Sequence, residues 1–196
     1  MNIPIQIFIY LAIITLYYTH KYRKGQNFKA TSAFIGLSFS SIKYYALGIF
    51  ISIISVIMAW FIFKYLPIDN KAFQSTIFNG TQIETLSFKF IFILFIKQLI
   101  FTAFGEEILF RGLIGGILFK KYFYVKANIL QSIIFIIPHT LLLLISFSFL
   151  PFILLQLVSG WLLGWLRYKS QSILPSTISH SITNTFSILL FYFILN

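Results

Sequence analysis

The chain has 196 residues, of which 59% are hydrophobic and only 10% carry a charge. A soluble domain is about half apolar and about a quarter charged, so this composition predicts a multi-pass protein of the cell membrane. The absence of cysteine excludes disulfides, cysteine nucleophiles and thiolate metal sites. The net charge of +11 lies in short loops between apolar runs, so membrane topology explains it better than a nucleic-acid partner does.

Apolar runs separated by short polar loops predict an all-α, polytopic transmembrane helical bundle of about six spans. Residues 1–87 hold two of these spans, and residues 88–196 hold the others together with the motifs discussed below. In chain order, the expected spans are residues 3–19, 44–66, 88–119, 129–149, 151–166 and 174–195.

The third apolar run, residues 88–119, is long for a single crossing. A helix of this length would measure about 48 Å, against a hydrocarbon core of about 30 Å. If the run crosses once, the loops at 20–43, 120–127 and 167–172 share one side, and they carry ten of the fifteen basic residues. Because basic loops favour the cytoplasm, we expect one long crossing, interrupted near Gly105, instead of a re-entrant pair of short segments.

Half of the chain's four acidic residues lie side by side within this run, at Glu106 and Glu107. A charged group at the centre of a span costs about 2.5–3.5 kcal/mol on insertion scales, so the two carboxylates require a reason to be there. Glu107 and Arg111 are i,i+4 neighbours on a helix and can form an ion pair. Glu106 is turned about 100° away and has no partner at that spacing, which makes it a candidate general base.

Two of the three histidines also lie within predicted spans. His139 follows Pro138, which removes a backbone donor and is expected to kink its helix. His180 and Asn184 are four residues apart and therefore share one helix face. Counting helical rise inward from the basic loops places Glu106, His139 and His180 at a common depth of about 15–20 Å.

Three motifs carry a family resemblance: Glu106-Glu107-x-x-x-Arg111, Phe135-x-x-x-His139 and His180-x-x-x-Asn184. In their order and spacing they resemble those of the CPBP intramembrane protease family, also called the Abi or CAAX-protease family. This family includes the prenyl-protein endopeptidase of eukaryotes and bacterial membrane proteins linked to bacteriocin processing and self-immunity. The resemblance covers residues 88–196, whereas residues 1–87 match nothing beyond two additional spans.

The resemblance implies a catalytic role for four of these residues. Glu106 would activate a water molecule, aided by His139. His180 and Asn184 would stabilise the oxyanion of the tetrahedral intermediate. Peptide hydrolysis requires a base for the water, donors for the oxyanion and a proton for the leaving amine, and these side chains are chemically able to supply all three.

The resemblance also leaves the kind of peptidase open. Glu107 and Arg111 would support the site structurally in either case. Glu106, His139 and His180 would bind a zinc ion and its water if the enzyme is metal-dependent, and would act without a metal if it is glutamate-dependent. Zinc is therefore the one cofactor that the resemblance allows.

The leading interpretation is an intramembrane endopeptidase whose partners are the lipid bilayer and a membrane-associated peptide or protein substrate. Two other classes stay open at this point: a non-catalytic membrane protein for bacteriocin immunity, and a small transporter with a buried proton relay. The motif residues also have structural interpretations, because His139 can cap carbonyls freed by Pro138, and His180 with Asn184 can hydrogen-bond between helices. The sequence indicates no oligomeric state.

Reporter fusions test the predicted topology. Fusions at Gln26, Lys126 and Ser170 should report the cytoplasm, and a fusion at Asn79 should report the exterior, because basic loops are retained inside. If Gln26 and Lys126 map to opposite faces, the single crossing of residues 88–119 is wrong.

Overall fold

The computed structural model describes residues 5–75 and 87–195, and these residues form helices and no strands, as expected for an all-α protein. The helices are α1 (Ile5–Arg23), α2 (Phe28–Ile35), α3 (Ile42–Tyr65), α4 (Asn70–Phe73), α5 (Phe88–Lys121), α6 (Tyr124–Leu144), α7 (Phe147–Ser170) and α8 (Leu174–Leu195).

Four of these helices, α3, α5, α6 and α7, are long and apolar enough to cross a membrane. The protein is therefore a multi-pass membrane protein. Helices α1 and α8 are not among the four, so the expectation of six crossings remains a prediction. Asn79 and the rest of the α4–α5 connection lie outside the described residues.

Helix α5 is one continuous helix of 34 residues and not a re-entrant pair. The expected interruption near Gly105 takes the form of two π-helical segments, Gln98–Ala103 and Glu107–Ile114, on either side of that glycine. Such segments are rare and are frequent at functional sites. The glycine itself allows close packing, because a Cβ at Gly105 would lie 2.9 Å from the ring of Tyr10 in α1.

Helix α8 is rich in serine and threonine and lies against α3. Its hydroxyls bond carbonyls one turn earlier, as in Ser181 Oγ to Thr177 O and Thr185 Oγ1 to Ser181 O, both 2.7 Å. These bonds satisfy buried polar groups within the helix. Small residues of α3 allow the close approach, since a Cβ at Gly48 would lie 2.9 Å from the carbonyl oxygen of Pro175.

The three basic loops meet at one end of the bundle, as a single crossing by α5 requires. Ile173 N donates to Gly36 O at 2.9 Å, which joins the connection after α2 to the connection after α7. The rings of Phe119 and Tyr168, near the ends of α5 and α7, lie 5.2 Å apart. The fold therefore places these loops together at one end of the bundle, as the charge pattern predicts.

At this end of the bundle, the buried cation Arg167 in α7 bonds a carbonyl instead of a carboxylate. Its side chain is 4% exposed, and Nη2 donates to Phe34 O at 3.1 Å. Phe34 lies in the last turn of α2, where carbonyls lack helical partners and the helix dipole is negative. Gly36 ends that helix in the left-handed conformation with φ +86°, and a Cβ there would lie 2.6 Å from the guanidinium carbon.

Gly25 and Gly36 both have a left-handed backbone conformation, and comparing them allows the contribution of the contact between Arg167 and the end of α2 to be measured. Gly25 also has a positive φ of +76°, but a Cβ there would meet nothing within 4 Å. Gly25→Ala should therefore cost only backbone strain, about 1–2 kcal/mol, or a fall in Tm of about 2–8 °C. Gly36→Ala should cost clearly more, because it also displaces Arg167. Thermal unfolding in detergent measures both variants, and equal losses would show that the guanidinium contact adds no stability.

Candidate active site

The centre of the site is a buried ion pair within α5. Arg111 Nη1 lies 3.2 Å from Glu107 Oε1, and both side chains are completely buried. The guanidinium carbon of Arg111 lies 3.8 Å from the ring centroid of Phe135 in α6, a cation–π geometry. Gly160 in α7 leaves room for this stack, because a Cβ there would lie 3.0 Å from the Phe135 ring and 3.5 Å from Arg111 Nη2.

His180 in α8 joins this pair and reaches the second glutamate. Its Nδ1 lies 3.0 Å from Glu107 Oε1, and its Nε2 lies 3.8 Å from Glu106 Oε2. The short contact fixes the orientation of the ring, so that the other nitrogen faces Glu106. From the sequence alone, Glu107 is expected to pair only with Arg111. The contact with His180 has no signal in the sequence, because 73 residues separate the two positions and no spacing rule connects them.

Glu106 has the contrasting environment. The residue is only 7% exposed, yet within the described residues its Oε2 has no hydrogen-bond partner. Burial of a carboxylate oxygen without a donor is costly and is unusual unless water or substrate supplies one. The two adjacent glutamates thus have different surroundings. Oε1 of Glu107 contacts Arg111 and His180, whereas Glu106 borders a cavity. Oε2 of Glu107 likewise has no hydrogen-bond partner among the described residues.

His139 lies in a 3₁₀ segment, Ile137–Leu144, where α6 changes its winding after Pro138. Proline has no N–H, so in a 3₁₀ turn the carbonyl of Phe135 loses its partner. Nδ1 of His139 lies 3.1 Å from that oxygen and donates to it. The capping role suggested by the sequence is therefore present, and it holds the proton on Nδ1 and leaves Nε2 as an acceptor.

Asn184 contacts Gln98, a residue of the third span that the sequence allows to line the cavity but does not pair with Asn184. Its Nδ2 donates to Gln98 Oε1 in α5 at 3.4 Å. Gln98, Thr102 and Glu106 are spaced four residues apart, so they follow one face of α5, and all three line the same cavity. This spacing is the signal that could have identified Gln98 from the sequence.

The side chains expected to act together border one cavity of about 350 Å³. Glu106, His139, His180 and Asn184 all line it, and so does Arg111. Its other walls are largely apolar and include a group of aromatic rings contributed by α3, α4 and α7: Phe63, Phe73, Phe149 and Phe152. A pocket of this size with a few convergent polar groups is typical of a ligand or substrate site.

The geometry does not fit the zinc alternative. Across residues 5–75 and 87–195, no group of three His, Cys, Asp or Glu side chains is arranged to hold a metal ion. This finding includes Glu106, His139 and His180, the three ligands that the alternative requires. We therefore derive no step through a metal.

Comparison with known proteins gives one match. The family model described as Rce1-like type II CAAX prenyl endopeptidase matches residues 88–186, the segment that contains every motif residue above. No curated protein and no solved structure matches the chain.

Removing Glu107 tests the buried ion pair. Glu107→Ala leaves Arg111 buried without its counter-ion and should cost roughly 3–5 kcal/mol of folding free energy, as should Arg111→Ala. The double variant Glu107→Leu/Arg111→Met should lose less than either single change, because no charge is left unpaired. Thermal unfolding in detergent measures these losses. A single variant as stable as the wild type would show that the pair does not hold the helices together.

Proposed function

Because the chain belongs to the Rce1-like type II CAAX prenyl endopeptidases by the match over residues 88–186, we propose that it is an intramembrane endopeptidase that cleaves membrane-associated peptides or proteins. The reaction takes place in the cavity bordered by α5, α6 and α8. Glu106, His139, His180 and Asn184 carry the chemistry, and Glu107 with Arg111 supports them.

One observation carries the proposal: Glu106 presents a buried, unpaired carboxylate oxygen to a cavity, 3.8 Å from Nε2 of His180. A structural brace between helices would account for Glu107 and Arg111, whose charges meet at 3.2 Å. It would not account for Glu106, whose carboxylate borders the cavity although that of Glu107 does not. A general base requires this arrangement, because its oxygen must be free to bond the water that it deprotonates.

The first step is attack by water on the scissile carbonyl. A water bonded to Glu106 gives one proton to the carboxylate as its oxygen forms a bond to the carbonyl carbon. The second hydrogen of the water donates to Nε2 of His139, which is an acceptor because Nδ1 is bonded to the Phe135 carbonyl. This second hydrogen bond orients the lone pair of the water toward the substrate.

The negative charge that develops on the carbonyl oxygen requires donors. Asn184 supplies N–H groups from its side-chain amide, and His180 supplies Nε2 when the ring carries a proton on each nitrogen. Geometry fixes the first of these two protons: Glu107, as an ionised carboxylate, can only accept, so Nδ1 of His180 carries a proton for the 3.0 Å bond. His180 therefore donates from Nε2 only as the imidazolium, with a second proton on that nitrogen. Loss of one such oxyanion donor typically lowers kcat by about 10²–10³.

Collapse of the tetrahedral intermediate completes the reaction. The carbonyl re-forms as the C–N bond breaks, and the proton held by Glu106 passes to the leaving nitrogen. The products are a new carboxyl terminus and a new amine, and Glu106 regains its starting ionisation. One glutamate thus acts first as base and then as acid.

Replacing Glu106 by glutamine tests the assignment. The amide keeps the size of the carboxyl group but cannot accept the proton from water, so peptide cleavage should fall at least about 100-fold, while Tm should stay near that of the wild type. Purified protein in liposomes would be given a library of membrane peptides, and mass spectrometry would identify the products.

The comparison variant is Arg111→Ala, which should lower both stability and cleavage, because it unfolds the site instead of removing the base. If Glu106→Gln cleaves at the wild-type rate, Glu106 is not the base. If the wild type produces no cleavage in a library that includes bacteriocin-like peptides encoded by neighbouring genes, the non-catalytic immunity role becomes the better explanation.

A further inference from the structure

We propose that Gln98 is a positioning residue that fixes the side-chain amide of Asn184 with its nitrogen available to the oxyanion. The inference rests on the function proposed above, and it adds a residue that the three family motifs do not contain. Its basis is the contact between Gln98 Oε1 and Asn184 Nδ2, 3.4 Å apart, between two side chains that both line the cavity of Glu106.

The contact is one of several polar contacts between α5 and α8 in the described part of the chain. One of them joins Glu107 to His180 at 3.0 Å, and another joins Gln98 to Asn184, further from the basic end of α5. Gln98 is the first residue of the π-helical segment Gln98–Ala103, which itself packs against α8. Each residue assigned to the oxyanion thus has a partner on α5 that contacts a nitrogen of its side chain.

Asn184 requires such a partner for a chemical reason. The two ends of a carboxamide have similar shape and opposite polarity, and rotation about the last side-chain torsion, which has broad minima, exchanges them. Only the nitrogen end stabilises an oxyanion, whereas the oxygen end would repel it. An acceptor at position 98 bonds one N–H of Asn184 and leaves the second N–H of the same group for the substrate.

Two substitutions separate the acceptor from the bulk of the side chain. Gln98→Leu keeps similar size and removes the acceptor, so kcat should fall about 10–100-fold, as for other residues that orient a functional group, with KM within about twofold. Gln98→Glu can only accept and should stay within a few-fold of the wild type. If Gln98→Leu keeps wild-type kcat, or if Gln98→Glu is as impaired as Gln98→Leu, the proposal is overturned.

A double-variant cycle tests whether Gln98 acts through Asn184. In an Asn184→Ala background, Gln98→Leu should cause no further loss, because the group that it positions is gone. The matched control is Gln156→Leu in α7, the same substitution in a residue that lines the same cavity and whose Oε1 has no partner among the described residues. Its effect should be the same in both backgrounds. Independent, additive losses for Gln98→Leu would mean that Gln98 contacts substrate itself, which contradicts the proposal.

A measurement without turnover separates this inference from the proposed function. The side-chain amide protons of Asn184, assigned by their loss in Asn184→Ala, are observed by NMR of isotopically labelled protein in detergent. Gln98→Leu should shift the proton that faces position 98, and Gln98→Glu should keep it hydrogen-bonded. An unchanged spectrum in Gln98→Leu overturns the positioning role whether or not the protein cleaves peptides. Absence of any cleavage by the wild-type protein overturns the proposed function instead.

Discussion

Two adjacent carboxylates in a membrane interior repel each other, and the site depends on the different environment that the fold gives to each. One oxygen of Glu107 lies 3.2 Å from Arg111 in an ion pair and 3.0 Å from Nδ1 of His180, and so links α5 to α8. Glu106 borders the cavity with an oxygen that no described residue bonds. In the proposed reaction, the ion pair provides the rigidity that Glu106 requires as the base, because a loosely held carboxylate would turn to find its own donor.

The two histidines of the cavity also have one ring nitrogen in a hydrogen bond and the other nitrogen free of one within the described part of the chain. His139 uses one nitrogen to cap the carbonyl that Pro138 leaves without a partner and keeps the other nitrogen free. His180 is held by Nδ1 and presents Nε2. In each ring a hydrogen bond that takes no part in the proposed chemistry determines which nitrogen is left free. The structural interpretation of these histidines and their proposed catalytic roles are therefore compatible.

The sequence predicted what local periodicity and charge can encode. The i,i+4 pair of Glu107 and Arg111 follows from helix geometry, and the single crossing of α5 follows from the basic loops. Contacts between distant positions left no such pattern: the bond from His180 to Glu107, the bond from Arg167 to the carbonyl of Phe34, and that from Asn184 to Gln98. Bonds to backbone carbonyls are especially difficult to predict from a sequence. Every residue has a carbonyl, and whether its oxygen is free to accept depends on where the residue lies in its helix.

The close contact between Tyr10 of α1 and Gly105 of α5 shows that two separate parts of the chain build the surroundings of the site. The residues proposed to carry the chemistry lie on α5, α6 and α8, within the segment that the family model matches, whereas the helix that covers the turn bearing Glu106 lies outside that segment. These two parts are in direct contact, so a change in the size of the Tyr10 side chain would reach the helical turn that bears Glu106. The first helix is therefore part of the packing around the carboxylate, although its sequence lies outside the family match.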